Sequence, residues 1–114
     1  MVRKENLVVK HEIRGGTGDV YMYHILEENE LMGHGTLYAR VVLPPGSSIG
    51  YHRHVGNTEP YYILKGSGIF VDEKGERVPV QAGDVCVIAC GESHGMENTG
   101  KEDLEIMALI INEG

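Results

Sequence analysis

Several residue types are scarce in this chain, and each shortage argues against a class of protein. The 114 residues include no tryptophan, one phenylalanine and only 10 lysines and arginines against 17 acidic residues, for a formal net charge of −7. Nucleic-acid binding relies on clustered basic side chains that neutralise phosphates, so this balance argues against a nucleic-acid partner. No run of 18 apolar residues occurs, and the sequence therefore predicts no membrane-spanning helix and no membrane partner.

Cysteine is also scarce, with only Cys86 and Cys90 present. On an extended segment, residues four apart have Cα atoms about 13 Å apart, which is too far for a disulfide. The spacing fits neither a zinc ribbon nor a Cys-x-x-Cys redox motif. We interpret both as small buried thiols, which suits a reducing compartment. The first six residues also lack the apolar core of a secretory signal, so a cytoplasmic location is expected.

Glycine, by contrast, is abundant at 16 residues, and it separates short runs rich in valine, isoleucine and tyrosine. Such runs at spacings of roughly 8–12 residues are typical of an antiparallel sandwich or barrel. The sequence predicts an all-β fold and one domain over residues 1–114, with at most one helical turn within residues 24–31. The predicted strands are Leu7–Ile13, Val20–His24, Leu37–Leu43, Ile49–His54, Glu59–Leu64, Gly68–Val71, Glu76–Val80, Val85–Ala89, Ser93–Asn98 and Leu104–Ile111.

Three of the six histidines, together with one glutamate, have a spacing that suits a metal site. His52 and His54 lie two apart on a predicted strand, so their side chains leave the same face about 7 Å apart at Cα. A hairpin through residues 55–58 would return Glu59 beside them, and His94 would come from a third strand. A lone histidine on a strand is ordinarily a packed core residue, but four convergent ligands favour metal binding. His11, His24 and His34 fit no ligand pattern, although His24 or His34 could face a barrel mouth.

The spacing around these residues resembles that of a known family. Residues 46–66 read G-x5-H-x-H-x4-E-x6-G, and residues 83–98 read G-x5-A-x-G-x2-H-x3-N. The two stretches resemble the two sequence motifs of the cupin superfamily, in particular its small single-domain members. The single departure is Ala89, where the second motif usually has proline in a turn. Asn98, the last position of that motif, is interpreted as a turn or supporting hydrogen-bond residue.

The resemblance implies a jelly-roll barrel (double-stranded β-helix) of two antiparallel sheets, with N-terminal edge strands in residues 1–35 and the barrel motifs in residues 46–98. It also implies that His52, His54, Glu59 and His94 point inward and hold one divalent transition metal. Three imidazoles and a carboxylate suit Mn, Fe, Ni, Co or Zn. The ligand set and a dication would carry a net charge of +1, which favours a small anionic ligand.

Two further residues are candidates for chemistry at such a metal. Tyr61 has the parity of Glu59 and should share its inward face, whereas Tyr62 should face outward. Arg40 could clamp a carboxylate if its strand face points inward, or be a solvated charge if it points outward. No general base other than Glu59 is evident, so the metal would carry any reaction.

Two classes of function follow. The first is a small metalloenzyme that decarboxylates, isomerises or oxygenates a small carboxylate, dicarbonyl or sugar acid. The second is a metal-dependent module that binds or senses a small ligand without turnover. Small cupins of this kind are often described as oxalate-decarboxylase-like, but the decarboxylases that the motif resembles have two domains, so we discount that activity.

The N-terminal strand also predicts self-association. Leu7 and Val9 would leave one face of this edge strand apolar and uncovered in a monomer. We therefore expect a homodimer.

Overall fold

The computed structural model describes residues 1–114 and consists of strands joined by turns and two short 3-10 helices, at Ile13–Gly15 and Glu28–Leu31. Neither helix is long or apolar enough to cross a bilayer. The eleven strands are β1 (Asn6–His11), β2 (Asp19–Leu26), β3 (Gly35–Leu43), β4 (Ser48–Arg53), β5 (Asn57–Thr58), β6 (Tyr61–Lys65), β7 (Ser67–Val71), β8 (Arg77–Gln81), β9 (Val85–Cys86), β10 (Ser93–Glu97) and β11 (Leu104–Asn112).

The strands form two antiparallel sheets, which confirms the predicted fold class. The larger sheet has seven strands in the order β1-β2-β3-β11-β6-β9, with β5 pairing with β11. The smaller sheet has the order β4-β10-β7-β8. Every strand pair is antiparallel, and many neighbours in space are distant in sequence, as in the jelly-roll barrel that the resemblance implies.

Alternation along the strands builds one core between the sheets. On β3, Leu37, Ala39, Val41 and Leu43 are all buried and belong to a cluster of 17 buried apolar residues. That cluster draws on both sheets, with Ile63 from β6 and the methionine and phenylalanine side chains of β10 and β7. Because β3, β6, β7 and β11 bury alternate side chains, the two sheets are held face to face over this shared apolar layer.

The predicted hairpin that would return Glu59 beside His52 and His54 is wrong. Strand β4 lies in the smaller sheet, whereas β5 and β6 lie in the larger one. The chain changes sheets between the end of β4 and the start of β5, where Gly56 adopts a φ of 76° that favours glycine. Glu59 therefore reaches the histidines from across the barrel rather than from a neighbouring strand.

A close backbone approach fixes the turn that follows β1. A Cβ atom at Gly50 would lie 2.0 Å from the carbonyl oxygen of Arg14, and one at Gly16 would lie 2.2 Å from that of Ser48. Only glycine allows such contact, so the turn lies directly on β4. Within and beside this turn, Glu12 and Arg14 have φ values of 49° and 55°, which non-glycine residues rarely adopt.

Candidate metal centre

The four predicted ligands converge on one point inside the barrel. His52 lies near the end of β4, His54 follows that strand, Glu59 joins β5 to β6, and His94 lies on β10. One ligand atom from each of the four lies within 4.8 Å of those of the others. His54, Glu59 and His94 are buried, and His52 is partly exposed.

The separations between these atoms match the coordination sphere of a metal ion. Nε2 of His54 lies 2.9 Å from Nε2 of His94 and 3.2 Å from Nε2 of His52. Oε1 of Glu59 lies 3.1 Å from Nε2 of both His54 and His94. Adjacent ligands of an octahedral ion at about 2.1 Å are about 3.0 Å apart, so the cluster could hold such an ion with little rearrangement.

Hydrogen bonds from the Nδ1 atoms of His52 and His54 direct the Nε2 lone pairs of these two rings toward the point where the four residues converge. Nδ1 of His52 donates to the carbonyl oxygen of Gly50 at 2.7 Å, and Nδ1 of His54 donates to Oδ1 of Asn57 at 2.6 Å. Because both partners are acceptors, Nδ1 carries the proton and Nε2 presents a lone pair in each neutral ring. Buried lone pairs that face one another and a carboxylate are unfavourable without a cation between them.

The charge state of Glu59 agrees with this arrangement. Burial alone would raise the pKa of Glu59, but the hydrogen bonds that it accepts from His54 and His94 when their Nε2 atoms are protonated outweigh burial and lower it to about 2. In its protonated form His54 donates a hydrogen bond from Nε2 to Glu59, which raises the pKa of His54, whereas the pKa of His52 is lowered, chiefly by burial. The site therefore keeps one anionic oxygen ligand across the physiological pH range.

Tyr61 faces inward beside the cluster, as the alternation predicts. Its ring stacks on that of His94 with centroids 5.0 Å apart and an angle of 28° between the planes. Burial, reinforced by the neighbouring Glu59 carboxylate, raises the pKa of Tyr61 well above its ordinary value, so the phenol stays protonated. Tyr62 is 49% exposed on the opposite face, also as predicted.

Arg40 takes the outward of the two orientations that the sequence left open. Its guanidinium hydrogen-bonds Glu105 at 3.0 Å and Glu5 at 2.9 Å, and it lies 4.2 Å from the centre of the Tyr23 ring. These partners hold the side chain on the outside of the larger sheet. Arg40 therefore does not line the cavity beside the four convergent residues.

A cavity of about 320 Å³ opens onto the cluster. Seven of its 14 lining residues are hydrophobic; the polar ones include His52, His54 and Glu59. The remaining polar lining residues are Lys10, Arg14, His24 and Thr36. Of these, His24 is the one that the sequence allows at a barrel mouth. A wider groove of about 640 Å³ lies outside the smaller sheet and contains none of the four clustered residues.

Asn98 supports the turn after β10, as its motif position suggests. Its buried amide donates to the carbonyl oxygens of Leu43 and Glu102, both at 2.7 Å, and its Oδ1 accepts from the Gly100 amide at 2.9 Å. These bonds tie the ends of β3 and β10 to the connection that leads into β11. Asn98 thus shapes the barrel and does not line the cavity.

Comparison with known proteins agrees with this architecture. The chain is 52% identical over 99 residues to an oxalate-binding protein of Thermotoga maritima, covering 87% of this chain and 81% of that protein. A crystal structure from Thermotoga maritima, described as a predicted oxalate decarboxylase, superposes with a TM-score of 0.92 at 47% identity over 98% of both chains.

More distant similarity concerns the fold alone. A cupin 2 conserved barrel domain protein from Salinispora arenicola superposes with a TM-score of 0.76 at 22% identity, covering 98% of this chain and 88% of that one.

The model of the family described as Cupin domain matches residues 39–110, a stretch that includes all four convergent residues. The chain therefore belongs to the cupin family.

Proposed function

We propose that this protein binds one divalent transition-metal ion through His52, His54, Glu59 and His94, and binds a small dicarboxylate of the oxalate class on that ion. The observation that carries the proposal is the convergence of three Nε2 atoms and one carboxylate oxygen, with four of their six separations at 2.9–3.2 Å and all within 4.8 Å. The similarity to an oxalate-binding protein supports the choice of ligand class.

The residues around the cluster suit such a ligand. An octahedral ion with four protein ligands keeps two positions for a chelating anion and acts on it as a Lewis acid. His52 and Glu59 line the cavity, so a ligand of this size can reach the cluster from there. The apolar half of the lining limits water, and this strengthens electrostatic attraction between the site and an anion.

The cavity favours binding over turnover. Glu59 is the one carboxylate among its lining residues, and as a metal ligand it would not be free to act as an acid or base. Tyr61 stays protonated. These observations favour the binding module over the enzyme among the two classes that the sequence predicts.

A second candidate is a metalloenzyme acting on the same class of acid. His24 favours it, because this half-buried imidazole lines the cavity without belonging to the ligand set. An imidazole there could transfer a proton to or from a bound carboxylate.

The test begins with elemental analysis of tag-free protein prepared without chelators or a nickel column. Calorimetry then follows oxalate binding to the metal-loaded protein, the metal-free protein and the variant His52→Ala. We expect about one ion per chain and oxalate binding that requires it. A protein that takes up none of Mn, Fe, Ni, Co or Zn contradicts the proposal, while release of carbon dioxide or formate from oxalate would support the enzyme.

We also propose that the chain forms a homodimer through the outer face of the larger sheet. Leu7, Tyr62, Leu64 and Val85 are 40–63% exposed, and β1 is an edge strand with unpaired backbone groups on one side. A second copy could cover both features. A light-scattering mass of two chains at micromolar concentration is expected, and a mass of one chain contradicts the dimer.

Cys86 is buried as predicted, but the prediction is wrong for Cys90, which is exposed. We further propose a cytoplasmic location, because both are free thiols, the state that a reducing compartment maintains. Alkylation in freshly lysed and denatured cells should label both cysteines without prior reduction.

A further inference from the structure

The cavity has a charge opposite to that of the whole protein. The chain carries −7, yet the charged lining residues are Lys10 and Arg14 against Glu59 alone. With neutral histidines this leaves +1 in the cavity, and a divalent ion would raise it to +3. Such a concentration of positive charge in a partly apolar cavity favours a ligand with more than one negative charge.

Arg14 differs from the other arginines in having no partner within the protein. Arg3, Arg40, Arg53 and Arg77 each donate hydrogen bonds to carboxylates or carbonyl oxygens on the outside of the barrel. Arg14 is exposed and lines the mouth of the cavity, and its guanidinium makes no hydrogen bond and no ion pair. Its five donors are therefore available to a ligand.

The backbone of Arg14 is fixed relative to the metal ligands. Its carbonyl oxygen lies against Gly50, whose own carbonyl oxygen accepts the hydrogen bond from Nδ1 of His52. The left-handed conformation of Arg14, with a φ of 55°, is one that persists only when the surrounding structure imposes it. The contact between Arg14 and Gly50 thus fixes the backbone from which the Arg14 side chain extends, next to the residue that orients the His52 ring.

The charge of Arg14 also acts on the cluster. Burial is the main reason for the lowered pKa of His52, and the neighbouring histidines and the positive charge of Arg14 lower it further. The same charge opposes the rise in the pKa of Tyr61 that burial and Glu59 produce. The positive charge of Arg14 thus affects both His52 and Tyr61, which line the same cavity.

We propose that Arg14 determines ligand specificity by binding the outer oxygens of a metal-chelated dicarboxylate, with Lys10 adding charge at the mouth. An oxalate that chelates an ion through one oxygen of each carboxylate presents its other two oxygens side by side, and this pair matches the planar fork of a guanidinium. A hydroxy acid chelated through its carboxylate and hydroxyl presents a single such oxygen. The inference rests on the proposed function and adds to it the residue that selects dianions.

The experiment titrates Mn²⁺-loaded protein with oxalate and with glycolate by calorimetry, and separately measures Mn²⁺ affinity. The variants are Arg14→Gln, Arg14→Lys and the control Lys101→Gln, which removes the same charge from an exposed loop. We expect Arg14→Gln to raise the Kd for oxalate roughly tenfold or more and that for glycolate less, with Mn²⁺ affinity not weakened. The Kd of Arg14→Lys for oxalate should lie between those of the wild type and Arg14→Gln, and Lys101→Gln should have the wild-type Kd.

The outcomes separate this inference from the proposed function. If the wild type binds oxalate and Arg14→Gln binds it equally well, or loses oxalate and glycolate alike, the role of Arg14 is wrong and the proposed function stands. Weaker Mn²⁺ binding by Arg14→Gln also overturns the inference, because Arg14 would then act on the metal site itself. If the metal-loaded wild type binds neither acid, both proposals fail.

Discussion

Oδ1 of Asn57 accepts a hydrogen bond from Nδ1 of His54 at 2.6 Å, which links a residue of β5 in the larger sheet to the end of β4 in the smaller one. The bond fixes the tautomer of His54 and aims its Nε2 at the other three ligands. Asn57 thus supports the candidate metal site by orienting His54. The site depends on the two sheets keeping their relative position.

Replacing Asn57 with alanine should weaken metal binding without unfolding the barrel. Loss of a partner behind a ligating histidine typically costs roughly 10- to 100-fold in metal affinity, because the ring loses its orientation and some basicity. Competition titration against a chromogenic chelator measures the change. Asn29→Ala, at an exposed position of a 3-10 helix, is the control and should bind metal normally. Equal affinities in the two variants would contradict the role of Asn57.

His52 and His24 provide a matched pair within one cavity, since both line it and only His52 belongs to the ligand set. Metal at about 100 times its Kd should stabilise the wild type by about 2.7 kcal/mol, or roughly 10 °C in Tm. His52→Ala should lose most of this increase, whereas His24→Ala should keep it. Thermal unfolding with and without metal measures both, and an intact increase in His52→Ala would rule out the assigned ligands.

Metal affinity should fall as the pH falls from roughly 8 to 5, because protons compete with the ion for imidazole nitrogens. The pKa of His54 is raised by its hydrogen bond to Glu59, so protons compete for His54 at a higher pH than for an ordinary imidazole. Glu59, with a pKa of about 2, stays anionic throughout. Titrations across this range should show proton uptake on metal release, and affinity independent of pH would contradict histidine ligation.

Gly50→Ala should disturb the N-terminal turn and the metal site together. The new Cβ would lie 2.0 Å from the carbonyl oxygen of Arg14, so the turn or β4 must move, at a cost of about 1–3 kcal/mol in the free energy of unfolding. Metal affinity should fall as well, because Gly50 orients His52.

Urea unfolding and metal titration measure the two effects of this variant. Gly100→Ala is the control, since its Cβ would meet no atom closer than 3.4 Å. A Gly50→Ala variant as stable as this control would contradict the close approach.

Much of the fold could be predicted because several strands bury alternate side chains. The alternation that places Glu59, Tyr61 and Ile63 inward is visible in the sequence, and all three are buried. What alternation cannot show is which sheet a strand joins. That depends on the direction of the chain after Gly56, and the predicted hairpin failed at this point.

The candidate site, like the fold, could be predicted from the sequence only in part. The spacing of His52, His54 and His94 could be recognised, since it reflects positions on strands. The direction of Arg40 could not, because β3 carries apolar residues on both faces. Arg14 was missed, since it lies in a glycine-rich turn whose left-handed backbone and contact with Gly50 are set by tertiary packing.

The position of β1 has a consequence for how ligands reach the site. Val8 and Lys10 of this strand line the cavity, yet β1 pairs only with β2 and has no neighbour on its other side. An edge strand detaches locally at a lower free energy than a central one. The amides of β1 should therefore exchange with solvent deuterium sooner than those of β3, and a ligand held against this wall should slow them. The wall that would enclose a ligand is thus an edge strand, which should open more readily than the centre of the barrel.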